Sequence, residues 1–316
     1  MIDIVCSTDG NFIMQTGVMI TSVCMSNPGS KISFHVLIDD SVGEKDKQAL
    51  RTCLDDRYDK IFFYRADSIL SSYPKIGKIN SYISKATYYR LAIPELLPNL
   101  DRVLYLDGDL IVRHSLDNMY HKDLEGVSLY AVSEMDEADQ PYERLGYPSY
   151  CGYFNAGVLL INLKYWREHE SLKLFLDVIN NHADKIVAHD QDTLNIVFHD
   201  SWRRMPIKYN LLSGHLYKRE MQNPKDRLAY GEEMDIAVKD PVIVHFTGPF
   251  KPWYHEGRYH PYQKDFEYYL SHTIWKGYSC DKWCPLGKRH YLANILRMLH
   301  LKPVLPNYYI NLDSLK

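Results

Sequence analysis

Two aspartates separated by one residue are the first candidates for chemistry in this sequence. Asp107 and Asp109 flank Gly108 directly after the apolar run 103–106. Side chains two positions apart in an extended segment point to the same side, so both carboxylates can reach one cation. Chance placement in a chain of this composition gives about two Asp-x-Asp triplets, and the chain has two, the other at 190–192. The triplet therefore gains meaning only from its setting.

That setting favours a metal site over the alternative, a solvated turn. Carboxylates are costly inside a sheet, but they suit the carboxyl edge of an open α/β sheet, where ligands bind. A second apolar run, 242–244, leads to His245, with Gly248 and Lys251 in the turn that follows. A single histidine after a strand is usually structural, but beside two aspartates it becomes a candidate ligand. Imidazole with carboxylates favours Mn²⁺ over Mg²⁺, and Lys251 offers a point charge for a phosphate.

Alternating strand and helix signals must position these groups. Apolar runs predict strands at 2–7, 32–38, 61–64, 103–106, 129–132 and 158–161. Helical periodicity predicts helices at 13–25, 44–54, 84–91 and 164–180. Strands that alternate with helices indicate βαβ units and a mostly parallel sheet, which is an α/β fold.

The loop after the first strand lacks the common phosphate-binding motifs. Neither G-x-G-x-x-G nor G-x-x-x-x-G-K-[ST] occurs there, and the sequence reads Cys-Ser-Thr-Asp-Gly-Asn. The carboxylate of Asp9 would repel a pyrophosphate, but it can bond a base or a ribose. Nucleotide binding at this edge would therefore need a cation to neutralise the phosphates.

Composition narrows the function classes. The chain has 316 residues and a net charge of −3, which gives no general attraction to nucleic acid. Its N-terminus lacks a signal-peptide pattern, and no apolar run approaches the roughly 18–20 residues of a membrane span. Six scattered cysteines are typical of a reduced, cytoplasmic protein.

The C-terminal part is basic and aromatic. Residues 276–302 carry a net charge of +5, and 288–299 has the pattern of an amphipathic helix. With Trp275, Tyr278 and Trp283 nearby, this pattern predicts peripheral contact with the inner face of an anionic membrane. Packing of the helix on its own domain or on a partner is the alternative.

Four motifs, in order, resemble those of glycosyltransferase family 8. They are 104–109, 154–163, 189–192 and 245–253, and the likeness covers residues 1–255. It is strongest with bacterial lipopolysaccharide galactosyl- and glucosyltransferases. The resemblance implies a GT-A fold (a Rossmann-like mixed sheet flanked by helices), with residues 256–316 as a small extension. It also implies Mn²⁺, UDP-galactose or UDP-glucose as donor, a glycan or glycolipid acceptor, and transfer with retention.

The resemblance also implies roles for individual residues. Metal ligands would be Asp107, Asp109 and His245, with Gly108 in the same donor-binding turn. Asp9 and Asn11 would contact uridine, Arg90 would hold the donor, and Gly248 and Lys251 would contact the diphosphate. The sugar pocket would comprise Asn155, Asp190 and Gln191, with Asp190 on sugar hydroxyls and Gln191 beside the anomeric carbon. Glu134 stands where the family often has an aspartate, which leaves its role open.

The chemistry constrains the mechanism further. A glycosyl–phosphate bond breaks through an oxocarbenium-like state, while charge grows on the diphosphate. Retention by double displacement needs a carboxylate nucleophile, and Gln191 is a poor one. We therefore favour departure and attack on the same face, with the leaving phosphate taking the acceptor's proton. A trapped glycosyl adduct on Asp190 or Gln191 would overturn this hypothesis.

The polar stretch 134–152 lies between two predicted strands and is long for a connecting loop. Long loops often bind ligands, so we expect 134–152 to fold over the donor and receive the acceptor; a plain surface loop is the alternative.

Three other functions compete with a glycosyltransferase. They are a non-catalytic UDP-sugar-binding protein, a nucleotidyltransferase, and a self-glucosylating primer resembling glycogenin.

Overall fold

The computed structural model describes residues 1–55, 59–66, 85–134, 141–216 and 224–279, with Ile295, Leu296, Leu299 and Leu301. The strands are β1 (Ile2–Ser7), β2 (Ile32–Ile38), β3 (Lys60–Arg65), β4 (Arg102–Leu106), β5 (Leu110–Val112), β6 (Leu129–Ser133), β7 (Phe154–Asn162), β8 (Arg203–Arg204), β9 (Leu211–Leu212) and β10 (Ile243–His245).

Helices lie between most of these strands. They are α1 (Ile13–Ser26), α2 (Glu44–Arg51), α3 (Ile93–Leu96), α4 (Asp117–Tyr120), α5 (Pro141–Leu145), α6 (Leu163–Glu168), α7 (Ser171–Asn181), α8 (His189–Phe198), α9 (Pro224–Lys239) and α10 (Gln263–Ser271). Short 3₁₀ helices span Lys85–Ala92, Ser149–Cys151, Ala183–Lys185, Ile207–Tyr209, Ser213–Leu216 and His255–Tyr259. The first of these occupies the predicted helix 84–91, whose first residue lies outside the described part.

A large mixed sheet forms the centre of the fold, in the order β3-β2-β1-β4-β7-β6-β8. Strands β1 to β4 run parallel to one another, whereas β7 is antiparallel to both β4 and β6. Ile4 and Val5 of β1 belong to apolar clusters on opposite faces of the sheet. Burial on both faces explains why β1 reads as a continuous apolar run. The predicted α/β class with a mixed sheet is confirmed.

A second sheet, β5-β10-β9, lies beyond the end of β4. In it, β10 is antiparallel to β5 and parallel to β9. Strand β5 was not predicted, because three apolar residues after the aspartates give too short a signal. This sheet matters because it brings the end of β10 to the end of β4.

The predicted single helix 164–180 is wrong. The chain forms α6 and α7 instead, and Glu170 between them adopts a left-handed conformation with φ of 47°. Trp166 and Phe175 are nine positions apart, which would put them on opposite sides of a continuous helix. The break lets both pack on Phe198, with ring centroids 4.9 Å and 5.5 Å from it. Shared burial of the aromatic rings therefore outweighs helix continuity.

Helix α10 packs on α1 and not on a separate core. Phe266 lies in the same apolar cluster as the interior of α1, and the hydroxyls of Tyr269 and Ser26 are 3.3 Å apart. Trp275 and Tyr278 also pack against this cluster. A domain boundary at 255 remains a prediction, as does membrane contact by 276–302, most of which lies outside the described residues. Within the described part, every helix is too short or too polar to cross a bilayer.

Gly17→Ala tests the contact between α1 and the segment after α10. A Cβ at Gly17 would lie 2.3 Å from Cζ3 of Trp275. Alanine favours a helix by about 1 kcal/mol over glycine, but overpacking costs about 1–3 kcal/mol. We expect a net fall in the unfolding temperature. Gly214→Ala is the control, since a Cβ there meets no atom within 4 Å. An unchanged or higher unfolding temperature for Gly17→Ala would contradict the contact.

Candidate active site

The Asp-Gly-Asp turn joins the two sheets. Strand β4 ends at Leu106 in the large sheet, and β5 begins at Leu110 in the small one. The Asp107 N–H donates to the carbonyl of Gly157 at 2.8 Å, and the Phe246 N–H donates to the carbonyl of Asp109 at 2.9 Å. Backbone bonds to both sheets therefore fix the turn, and with it the starting points of both aspartate side chains.

The three predicted metal ligands converge at this turn. Asp107, Asp109 and His245 each present a ligand atom, and these atoms lie within 4.8 Å of one another. His245 Nε2 is 3.0 Å from Asp109 Oδ1 and 3.7 Å from Asp107 Oδ2. Two carboxylates and an imidazole nitrogen are a donor set that fits Mn²⁺. The residues present therefore fit a divalent cation.

Space for such a cation depends on Gly157 of β7. A Cβ at this position would lie 2.1 Å from Cε1 of His245 and 2.7 Å from Oδ2 of Asp107. The backbone of Gly157 does not require glycine, since its φ is not positive. Glycine is needed here for space. Sequence reasoning included Gly157 in a motif but assigned it no role, because the absence of a side chain leaves no chemical signal.

Lys251 and His245 both contact the carboxylate of Asp109. The Lys251 ammonium donates to Asp109 Oδ2 at 2.5 Å and to the carbonyl of Phe246 at 2.6 Å. Burial works to raise the pKa of Asp109, but the charges of Lys251 and then His245 bring this pKa well below its usual range. Asp109 is therefore ionised and available as a metal ligand.

Arg90 serves the protein's own carboxylates. It is 4% exposed, and its NH1 and NH2 groups donate to the carbonyl of Ala156 at 2.5 Å and to Asp107 Oδ1 at 2.9 Å. Its guanidinium lies 4.3 Å from the ring centroid of Tyr105, whose hydroxyl also donates to Asp107. Arg90 lines the cavity, but most of its donors are already used. Its predicted contact with the donor stays a prediction.

Asp190 is a buried carboxylate without a matching donor. It is 4% exposed, and its Oδ2 lies 2.8 Å from Nε of Arg90. That N–H, however, donates to the carbonyl of Thr87 at 3.1 Å, which leaves Oδ2 without a directed hydrogen bond. Burial, opposed by Arg90, raises the pKa of Asp190 to about 7. The site therefore contains one buried carboxyl oxygen that can still take part in a hydrogen bond with a ligand.

Side-chain amides form the wall beside Asp190. The Ala156 N–H donates to Gln191 Oε1 at 3.0 Å, and Asn155 Nδ2 donates to the same oxygen at 3.2 Å. Asn155 Nδ2 also donates to Glu134 Oε2 at 3.0 Å. Gln191 Nε2 donates to the hydroxyl of Tyr153 at 3.0 Å. Gln191 Nε2 also donates to Glu134 Oε2 at 3.4 Å, so Glu134 accepts from both amides although it does not line the cavity.

Asp192, by contrast, is structural. It accepts the N–H groups of Val187 and Ala188 at 2.7 Å each, and Arg144 of α5 donates to it at 2.7 Å. The carboxylate of Asp192 is occupied by these donors, so the second Asp-x-Asp triplet does not offer two available carboxylates to one metal ion. The Arg144 contact ties part of the stretch 134–152 to α8, but residues 135–140 lie outside the described part, and the stretch's role remains a prediction.

These groups surround a cavity of about 510 Å³. The predicted site residues that line it are Asp9, Arg90, Asp107, Gly108, Asp109, Asn155, Asp190, Gln191, His245, Gly248 and Lys251. Asn11 does not line it; its backbone N–H caps Asp9 Oδ1 at 2.9 Å, and its side chain is exposed. Sequence reasoning missed Tyr105, Tyr153 and Asn210, since a buried tyrosine or asparagine carries no signal that separates it from an ordinary core residue.

Gly157→Ala should abolish the space for the cation. We expect the affinity for Mn²⁺ to fall by 10-fold or more, because His245 or Asp107 must move away. Calorimetric titration of the metal measures this, with Gly214→Ala as the matched control. Wild-type affinity in a folded Gly157→Ala protein would show that the cation lies elsewhere.

Asp190→Asn should remove a pH-dependent cost. Asp190 has a pKa of about 7 in the folded protein against an ordinary 3.8. Its stabilising contribution is complete below about pH 4 and lost as the pH rises through 7. The variant's stability relative to wild type should therefore rise by about 2–3 kcal/mol from pH 5 to pH 8. Denaturant unfolding at each pH measures it, with the exposed Asp123→Asn as control. A difference that is constant with pH would contradict the burial argument.

Comparison with known proteins agrees with the fold and the motifs. The family model described as Glycosyl transferase family 8 matches residues 3–257. The chain is 31% identical over 203 residues to general stress protein A of Bacillus subtilis, covering 62% of this chain and 68% of that protein. It is 30% identical over 277 residues to a lipopolysaccharide 1,3-galactosyltransferase of Salmonella typhimurium, covering 84% and 77% respectively.

A solved structure supports the same conclusion. The galactosyltransferase LgtC, crystallised with donor and acceptor sugar analogues, superposes with a TM-score of 0.74 at 27% identity, covering 86% of this chain and 96% of that one. The central sheet and its flanking helices are those of a GT-A glycosyltransferase. Because the family model spans most of its length and its motifs meet in one cavity, this chain belongs to glycosyltransferase family 8.

Proposed function

We propose that this enzyme transfers a hexose, galactose or glucose, from its UDP-sugar to a glycan acceptor with retention of anomeric configuration. The convergence of Asp107, Asp109 and His245 in one cavity with Asp190, whose Oδ2 lacks a directed hydrogen bond, carries the proposal. A diphosphate needs positive charge, whereas a sugar needs hydrogen-bond acceptors. The cavity offers a cation site and such an acceptor side by side.

The leaving diphosphate would lie on the metal side of the cavity. Mn²⁺, with Mg²⁺ as the alternative, would be held by Asp107, Asp109 and His245 and would stabilise charge on the diphosphate. Gly248, whose φ of 75° allows a tight turn, and Lys251 line the same side. The Lys251 ammonium is paired with Asp109, so it can serve a phosphate by turning from one anion to another.

The sugar would lie against Asp190 and Gln191, and the uridine near Asp9. A sugar hydroxyl can supply the hydrogen bond that Asp190 Oδ2 lacks, because buried acceptors without a partner are costly. Gln191 Oε1 already accepts from Ala156 and Asn155. An amide oxygen with two donors is an even poorer nucleophile, which supports departure and attack on the same face.

The acceptor proposal rests on the relatives. Curated family members of similar length act on lipopolysaccharide, including a 1,3-galactosyltransferase and a 1,2-glucosyltransferase of Escherichia coli that is 26% identical over 272 residues. We therefore infer a lipopolysaccharide or another surface glycan as acceptor. Contact with a membrane surface through 276–302 would bring the enzyme to such an acceptor.

Donor hydrolysis tests the proposal directly. The purified protein is incubated with a panel of UDP-sugars, with Mn²⁺, with Mg²⁺ and with a chelator, and UDP release is measured. We expect slow, metal-dependent release from UDP-galactose or UDP-glucose. Asp109→Asn should reduce the rate by at least 100-fold, since it removes a ligand charge at constant volume. Asp123→Asn, an exposed change of the same type, should leave the rate unchanged.

Two results would contradict the proposal. Failure of UDP to bind in the presence of any divalent metal would exclude the donor site. UDP binding without turnover, even when lipopolysaccharide acceptors are supplied, would favour a sugar-nucleotide-binding protein.

A further inference from the structure

A chain of buried side-chain amides connects the sugar side of the cavity to the metal side. Asn155, Asn210 and His245 are linked in series: Asn210 Nδ2 donates to Asn155 Oδ1 at 2.9 Å, and Asn210 Oδ1 lies 3.0 Å from His245 Nδ1. Asn210 is fully buried, and His245 is 3% exposed. Water therefore cannot replace these partners, and each group depends on the next.

The backbone N–H of Gly157, together with the carboxylate of Glu134, fixes the direction of the hydrogen bonds in this chain. The Gly157 N–H can only donate, and its partner at 2.9 Å is Asn155 Oδ1. The other end of that amide, Nδ2, faces the carboxylate of Glu134, which suits a donor. Asn155 therefore presents its oxygen to Asn210, so Asn210 must present nitrogen to Asn155 and oxygen to His245.

The consequence falls on the imidazole. Since Asn210 Oδ1 can only accept, Nδ1 of His245 must carry a hydrogen. In the neutral ring that leaves Nε2 without one, and Nε2 is the nitrogen that faces Asp107 and Asp109. A bare Nε2 is the form that binds a metal.

Asp109 pulls in the opposite direction. Its Oδ1 lies 3.0 Å from His245 Nε2, and a carboxylate at that distance favours a hydrogen on Nε2, which would occupy the ligand position. Without a partner at Nδ1, the neutral ring would satisfy Asp109 and turn an N–H toward the cation site. The competing acceptor at Nδ1 prevents this.

We propose that Asn210 is a positioning residue that sets the tautomer of His245 for metal binding. The register of the small sheet is consistent with this contact: Leu212 of β9 pairs with His245 of β10, and Asn210 lies two positions before Leu212. Side chains two positions apart in an extended segment point to the same side, so Asn210 can reach the face that carries the imidazole. This inference rests on the metal site of the proposed function, but it concerns a residue that touches neither metal nor donor.

Asn210→Leu tests it, because leucine keeps the branched arrangement of four side-chain heavy atoms and removes both hydrogen bonds. We expect the Mn²⁺ affinity, measured by calorimetry, to fall 10- to 100-fold, as for other partners of metal-binding histidines. Asn27→Leu is the matched control: Asn27 is 3% exposed and also makes two side-chain hydrogen bonds, but it directly follows α1 and does not line the cavity. It should lose stability and keep its metal affinity.

Nitrogen NMR of labelled histidine gives the second readout, on metal-free protein at a pH where the ring is neutral. We expect the His245 hydrogen on Nδ1 in wild type and on Nε2 in Asn210→Leu. A wild-type hydrogen on Nε2, or an unchanged Mn²⁺ affinity in Asn210→Leu, would overturn the inference. If Asn210→Leu does not fold, the wild-type spectrum decides alone. Absence of metal binding by the wild type would instead contradict the metal part of the proposed function, which keeps the two failures distinct.

Discussion

The site depends on compensation of the negative charge of three neighbouring carboxylates. Asp107, Asp109 and Asp190 bring three carboxylates into one cavity, and each is less than about one-quarter exposed. Such a group is unstable without compensation. Arg90 lies between Asp107 and Asp190, while the Lys251 ammonium pairs with Asp109, and His245 Nε2 lies 3.0 Å from the same carboxylate. The fold supplies enough positive charge to hold the carboxylates together, and a bound cation would complete the balance.

The two sheets explain how this charge is assembled. Strand β4 of the large sheet ends directly before Asp107, and β5 of the small sheet begins directly after Asp109. The small sheet also carries His245, at the end of β10. The antiparallel strand β7 places Asn155 and Gly157 at the same edge. Because backbone bonds set these positions, the side chains need little further ordering when a ligand arrives, which preorganises the site electrostatically. Asn155, one of the amides beside Asp190, also directs the hydrogen on His245 through Asn210, so the two halves of the site are not independent.

Much of this could be predicted from sequence, for physical reasons. The parallel strands β1, β2 and β4 are buried on both faces, so their apolar runs were clear, and polar residues at the ends of β1 and β4 marked the ligand edge. Charged and imidazole side chains are recognisable by their chemistry, so the cluster of Asp107, Asp109 and His245, with Lys251 beside it, could be predicted. What failed was of another kind: the break at Glu170 depends on where Trp166 and Phe175 must pack, which is tertiary information. Gly157 and Asn210 act through space and hydrogen-bond direction, and neither property is visible in a residue type.

The proposed chemistry requires a single divalent cation between Asp107, Asp109 and His245. Crystals grown with Mn²⁺ and UDP, measured at the manganese absorption edge, test this requirement. We expect one anomalous peak within coordination distance of both carboxylates and of His245 Nε2. An anomalous peak at another position, or ordered UDP with no peak at these three residues, would contradict it.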